Sequence, residues 1–108
     1  MGLFNLFHKN QDINGVYELM QNYAAAVLLD VRTAEEFAEG HLPQAVNLPL
    51  QSIAVQAQSA LPQKDIPLFV YCRSGVRSAK AAAELRQMGF TCVQDMGGIL
   101  SYKGRLEV

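Results

Sequence analysis

Two short apolar runs constrain this chain more than any other feature. Ala26-Val27-Leu28-Leu29-Asp30-Val31 and Leu68-Phe69-Val70-Tyr71 are rich in branched and aromatic residues and carry almost no polar side chains. Runs of this kind suit strands buried on both faces, as in a parallel sheet. A helical signal follows each. Thr33-Ala34-Glu35-Glu36 is a Thr-x-x-Glu capping box, which starts a helical turn directly after the first run, and Gly40 ends it. Between Ser78 and Met88, the residues Ser78, Ala81, Ala82, Leu85 and Met88 share one stripe, with Lys80, Glu84 and Gln87 opposite. That pattern predicts an amphipathic helix with Gly89 as its stop. Strands alternating with helices predict an α/β fold, with a mainly parallel central sheet flanked by helices on both faces.

The weaker segments fit the same frame. Val16, Leu19 and Met20 predict a short helix from Asn14 to Gln21, capped by Asn14. Pro43 and Pro49 leave room for only a brief strand around Ala45 to Asn47. Ser52 to Ala60 reads as a helix, and Phe90 to Gln94 as a further strand that holds Cys92 in the core. Gly97-Gly98 then opens a last turn from which Ile99, Leu100 and Tyr102 pack inward. The 108 residues suffice for one domain and not for two. Residues 12–108 are expected to form it, with 1–11 as a possibly flexible arm.

Charge and cysteine content narrow the function. Nine basic side chains against ten acidic ones give no basic face for bulk nucleic-acid binding. Two cysteines, Cys72 and Cys92, are a poor disulfide framework for a chain that is half hydrophobic, so a reducing, cytoplasmic setting is expected. The apolar start, Met1 to Phe7, lacks the basic flank and cleavage site of a signal peptide. Leu6 stands where myristoylation would want Ser or Thr. The segment reads as a loose arm or edge contact, or else as a docking or self-association patch. No stretch reaches the length of a membrane span, and no metal or cofactor motif is found.

The chemistry concentrates in Cys72-Arg73-Ser74-Gly75-Val76-Arg77-Ser78, between a strand and a helix. In an open parallel sheet that is the carboxyl edge, where ligands bind. Free N–H groups and the positive dipole end of the following helix favour an anion there. Gly75 permits a tight turn in which successive N–H groups face one point. Arg73, Arg77 and Lys80 make the local field positive, which favours the Cys72 thiolate without a general base.

The loop resembles the active-site loop of single-domain rhodaneses. Further blocks carry the same resemblance in the expected order: Asp30-Val31-Arg32 with Glu36-Phe37, Gly40 through Pro49, and Gly97-Gly98-Ile99. Tyr102 takes the place of the tryptophan usual in the family. The resemblance implies a sulfurtransferase with Cys72 as the catalytic residue. It would move sulfur from a small anionic donor such as thiosulfate to cyanide, a small thiol or a protein cysteine, through a persulfide. It further implies that the loop amides of Arg73, Ser74, Gly75, Val76 and Arg77 cradle the sulfur, while the Arg73 and Arg77 guanidiniums attract the donor. Asp30 and Arg32, at the end of a neighbouring strand, would brace the loop by an ion pair or else form an ordinary turn-stabilising pair, and Ser78 would support the loop alongside them. His41 would tie down the Gly40–Pro43 turn or donate a proton, and Tyr71 would lie in the core. Two alternatives stay open. A sulfur-carrier or regulatory module serving a protein partner would keep the same loop. A phosphatase or arsenate reductase would want five residues between Cys and Arg, whereas four separate Cys72 from Arg77 and Ser78 occupies the sixth place.

Overall fold

The computed structural model describes residues 11–108, so the expectations for the apolar start lie outside the described residues. Four strands form one sheet: β1 (Val27–Asp30), β2 (Val46–Asn47), β3 (Leu68–Cys72) and β4 (Val93–Gly98). Their order is β2-β1-β3-β4 and every pairing is parallel. Four α-helices accompany them: α1 (Val16–Met20), α2 (Ala34–Glu39), α3 (Ile53–Ala60) and α4 (Val76–Gln87). Short 3-10 turns at Ile13–Gly15, Leu50–Ser52 and Ile99–Ser101 complete the elements of the described residues.

The two-residue period of a strand sorts β3 onto two cores. Leu68, Val70 and Cys72 face one side, where Ile53 and Ala57 of α3 and Ala81, Ala82 and Leu85 of α4 pack on them. Phe69 and Tyr71 face the other, against Ile13, Val16, Leu28, Leu42 and Met96. Helices cover both faces, as the alternation of elements predicts. Cys72 therefore ends a fully buried strand on the side that α4 covers.

Several local expectations need correction. Asn14 does not cap α1: Gly15 precedes that helix with no side-chain cap. Asp12 caps the preceding 3-10 turn instead, accepting from the Asn14 N–H. The Asn14 amide donates to the Ser101 carbonyl and accepts from the Lys103 N–H, so it ties the start of the described chain to its end. Helix α4 begins at Val76, two residues before the expected Ser78, because Gly75 makes the turn into it with φ +107°. That brings Val76 and Arg77 into the first helical turn.

The last strand is displaced by the largest margin. The chain turns at Gly89, buries Phe90, and enters β4 only at Val93, so Cys92 is half-buried just outside the strand rather than within it. β4 then runs on to Gly98. Gly97 and Gly98, expected to open a turn, pair with Tyr71 and Cys72. A bulge makes this register: Val70 pairs with Asp95 but Tyr71 with Gly97, leaving Met96 as the extra residue. The Asp95 carboxylate accepts the Gly97 N–H at 2.9 Å and so serves a donor at the bulge. Leu100 is 63% exposed and does not pack inward, whereas Ile99 and Tyr102 do.

Candidate active site

Cys72 stands at the carboxyl end of β3, and its loop closes within three residues. The Gly75 N–H donates to the Cys72 Sγ at 3.0 Å. Gly75 is required there by conformation, since a Cβ would find room at 3.6 Å from Gly97 but L residues rarely adopt φ +107°. At Gly98 the requirement is the reverse. Its backbone is ordinarily extended, but a Cβ would lie 2.3 Å from the Arg73 carbonyl oxygen and 2.7 Å from the Ser74 Cα. The glycine pair at the end of β4 is thus the floor on which the cysteine loop rests. The Leu100 N–H donates to the Arg73 carbonyl at 3.2 Å and fixes the same contact.

The sequence singles out five loop residues as a cradle, and the geometry divides them. Only Gly75 gives the resting sulfur a hydrogen bond. The first N–H groups of α4, from Val76 onward, have no partner inside the helix and stand at its positive end. Ser74 is exposed, and Val76 carries a 63% exposed side chain at the rim. Cys72 itself is buried, with 1% exposure. Ser78 is fully buried, and its hydroxyl lies 3.1 Å from the Gly75 carbonyl and 3.3 Å from that of Gly97. One hydroxyl proton serves one of these oxygens at a time, and either choice joins the loop to the glycine floor.

The two arginines of the loop differ. Arg73 is exposed and pairs with no carboxylate among the described residues. Arg77 is engaged in a two-pronged ion pair: its Nη1 donates to Glu36 Oε1 at 2.6 Å and its Nη2 to Oε2 at 3.0 Å. Glu36 is at the same time the far end of the capping box, accepting the Thr33 N–H at 2.9 Å. The Arg77 guanidinium, with the Thr33 amide, holds the Glu36 carboxyl down to about 2, well below its ordinary range. Glu36 enters the sequence reading only as a helix cap and a family block, because 41 residues separate it from Arg77 and no local pattern joins them.

Asp30 and Arg32 form a second pair, buried and bidentate, with Arg32 Nη2 2.6 Å from Asp30 Oδ2. Asp30 also accepts the Arg32 backbone N–H, and Arg32 donates to the Gly40 carbonyl at 2.7 Å. This pair braces the β1–α2 connection and the Gly40 corner; it makes no hydrogen bond to the cysteine loop. Tyr71 is core, as expected. Its hydroxyl accepts the Leu42 N–H, and burial raises its phenol above the ordinary value. His41 stacks on Phe37 at 3.7 Å, and its Nδ1 lies 2.9 Å from the Phe37 carbonyl. A carbonyl can only accept, so Nδ1 carries the proton and His41 secures the corner.

Beside the loop opens a cleft of about 380 Å³, lined by Arg32, Glu36, Glu39, Arg73, Leu100 and Leu106. Two other clefts, of about 360 and 500 Å³, lie along α1 and include no residue of the cysteine loop. Among the described residues no His, Cys, Asp and Glu side chains cluster as metal ligands, and no helix is long and apolar enough to cross a membrane.

The fold and site define a parallel α/β domain with a cysteine at the carboxyl end of a central strand, set before the head of a helix. The comparisons make the class specific. Residues 13–104 match the family model for the rhodanese-like domain, and the chain belongs to that family of sulfurtransferases. It is 35% identical over 77 residues to the thiosulfate sulfurtransferase PspE of Escherichia coli, covering 71% of this chain and 74% of that one. A sulfurtransferase of Allochromatium vinosum is 42% identical over 77 residues, 70% of each chain. Among solved structures, a rhodanese with anions from E. coli superposes with a TM-score of 0.71 at 31% identity, covering 77% of this chain and 98% of the other.

Proposed function

We propose that this chain transfers a sulfane sulfur as a persulfide on Cys72, from thiosulfate or a similar donor to a thiophilic acceptor. The observation that carries the reading is the 3.0 Å hydrogen bond from the Gly75 N–H to the Cys72 Sγ. A donor already directed at that sulfur can meet negative charge that builds there during transfer. In the first half-reaction the Cys72 thiolate attacks the outer sulfur of thiosulfate. A bond forms between the two sulfurs, the bond to the sulfonyl sulfur breaks, and sulfite leaves with the electron pair. The persulfide sulfur extends about 2.05 Å beyond Sγ, towards the loop amides and the head of α4. These donors belong to backbone already fixed by Gly98 and Ser78, so they need little reorganisation when the charge arrives. In the second half-reaction a nucleophile such as cyanide or a thiolate takes the outer sulfur, and Cys72 regains its electron pair.

Intact mass spectrometry after thiosulfate treatment tests the reading. The chain gains one sulfur, dithiothreitol removes it, Cys72→Ser abolishes it and Cys92→Ser keeps it. Persistence of the gain in Cys72→Ser refutes the assignment.

One observation favours a carrier that delivers to a protein. The cleft beside the loop carries Leu100 and Leu106 on its rim, 63% and 46% exposed, and Val76, 63% exposed, opens α4 directly after the loop. A small anion gains nothing from such a rim, whereas a protein acceptor buries it. Fast thiosulfate:cyanide turnover by the domain supports the small-substrate enzyme. Stoichiometric persulfide formation with very slow release to cyanide supports the carrier.

A further inference from the structure

We propose that Glu36 sets the donor preference of this site by occupying Arg77, so that Arg73 is the cation an anionic sulfur donor meets. The inference builds on the persulfide reading and specifies the recognition of the donor within it. It starts from an unequal division of charge. Both oxygens of Glu36 and both terminal nitrogens of Arg77 are consumed by one another at 2.6 and 3.0 Å. Such a fork-to-fork pair uses two of the five guanidinium N–H donors and sets a full negative charge against the group, so a second anion gains little electrostatically from it.

The surroundings sharpen the point. The charged groups nearest the loop in the chain are Asp30 at the end of β1 and Arg32 after it, Glu35, Glu36 and Glu39 on α2, Arg73, Arg77 and Lys80, and Asp95 on β4; Lys80 sits on the exposed face of α4 and does not line the cleft beside the loop. Asp30 neutralises Arg32 and Glu36 neutralises Arg77. Asp95 accepts the Gly97 N–H at the bulge. Arg73 remains, exposed and in the same cleft as Glu36 and Glu39. A dianion entering this cleft meets one unpaired cation and two carboxylates, although the sequence places two arginines in the loop. Glu36 is thus a positioning residue: it acts on the donor through Arg77 and makes the site less welcoming to a dianion than the loop alone would be. Donors of lower charge are favoured in proportion.

Glu36→Gln isolates the charge, since glutamine serves equally in a capping box. Freeing Arg77 is expected to lower the KM for thiosulfate about fivefold, with kcat within about twofold. A monoanionic thiosulfonate donor should gain less. Arg73→Ala should raise the thiosulfate KM more than Arg77→Ala does. Thr33→Ala, which weakens the cap and leaves the ion pair in place, should lower the melting temperature with no change in KM. An unchanged or raised KM in Glu36→Gln overturns the proposal. Binding tests it apart from turnover: by calorimetry, Cys72→Ser/Glu36→Gln should hold thiosulfate about fivefold more tightly than Cys72→Ser alone. Equal or weaker binding, or none in either variant, overturns it as well. Absence of a Cys72 persulfide in the parent chain refutes the transfer reaction instead and leaves this binding result to decide the role of Glu36.

Discussion

Asp30–Arg32 and Glu36–Arg77 are alike in chemistry and unlike in setting. Each joins a carboxylate to a guanidinium at 2.6 Å beside the cysteine loop. The side chains of the first pair are 0% and 7% exposed, and those of the second 26% and 32%. A buried charge that loses its partner is left in a medium that cannot solvate it, so the first pair is locked into the fold. The second pair stands in water-screened surroundings, where breaking it costs little stability. Evolutionary or engineered change can therefore act on the second pair without unfolding the domain. The difference teaches that an ion pair available for tuning a site is one the fold does not need.

The sharpest way to break that comparison is Asp30→Ala. It strands the Arg32 guanidinium, which is 7% exposed, and removes the acceptor of the Arg32 N–H. Urea denaturation should show a loss of about 3–5 kcal/mol. A loss under about 1 kcal/mol would place the two pairs in the same class.

Gly98→Ala should come next. Its Cβ meets backbone of Arg73 and Ser74 rather than a movable side chain. The expected destabilisation is about 1–3 kcal/mol, together with a larger loss of persulfide formation, because the loop itself is displaced. Gly15→Ala provides the reference, since nothing lies within 4 Å of a Cβ there. Equal persulfide yields in the two variants would show that the glycine floor does not hold the loop.

The smallest effect belongs to the exposed pair and is read by pH. The folded Glu36 carboxyl is held to about 2, against 4.5 for an ordinary glutamate. A depressed carboxyl stabilises the fold fully above its unfolded value, and the contribution fades as pH falls from about 4.5 towards 2. Because both partners are a quarter to a third exposed, the stability lost is expected to be about 1 kcal/mol or less. Added salt should shrink it further. Denaturation of the parent chain and of Arg77→Ala across this range should therefore converge at low pH. A difference that persists below pH 2 would mean that Arg77 contributes through packing instead.

The sequence was most legible where a signal is local. The Thr33–Glu36 capping box, the buried runs of β1 and β3, and the cysteine loop before a helix are each written within a few residues. Legibility failed at β4. Asp95, Gly97 and Gly98 are poor strand formers, and the segment is extended because β3 pairs with it across a bulge. It failed also for Arg77, whose place in the loop suggests a free cation while its partner comes from another helix.

By itself, the chain's residue order determined the alternation of strand and helix, the parallel sheet, and the presence of Cys72 at a helix head. These follow from periodicity, capping and backbone restriction, which act over a turn or a pair of residues. Only the tertiary structure decided that Gly98 lies under Arg73 and Ser74, and that Glu36 neutralises Arg77. Those contacts depend on register and on how helices cross the sheet, and such long-range geometry is set by the packing of the whole core at once.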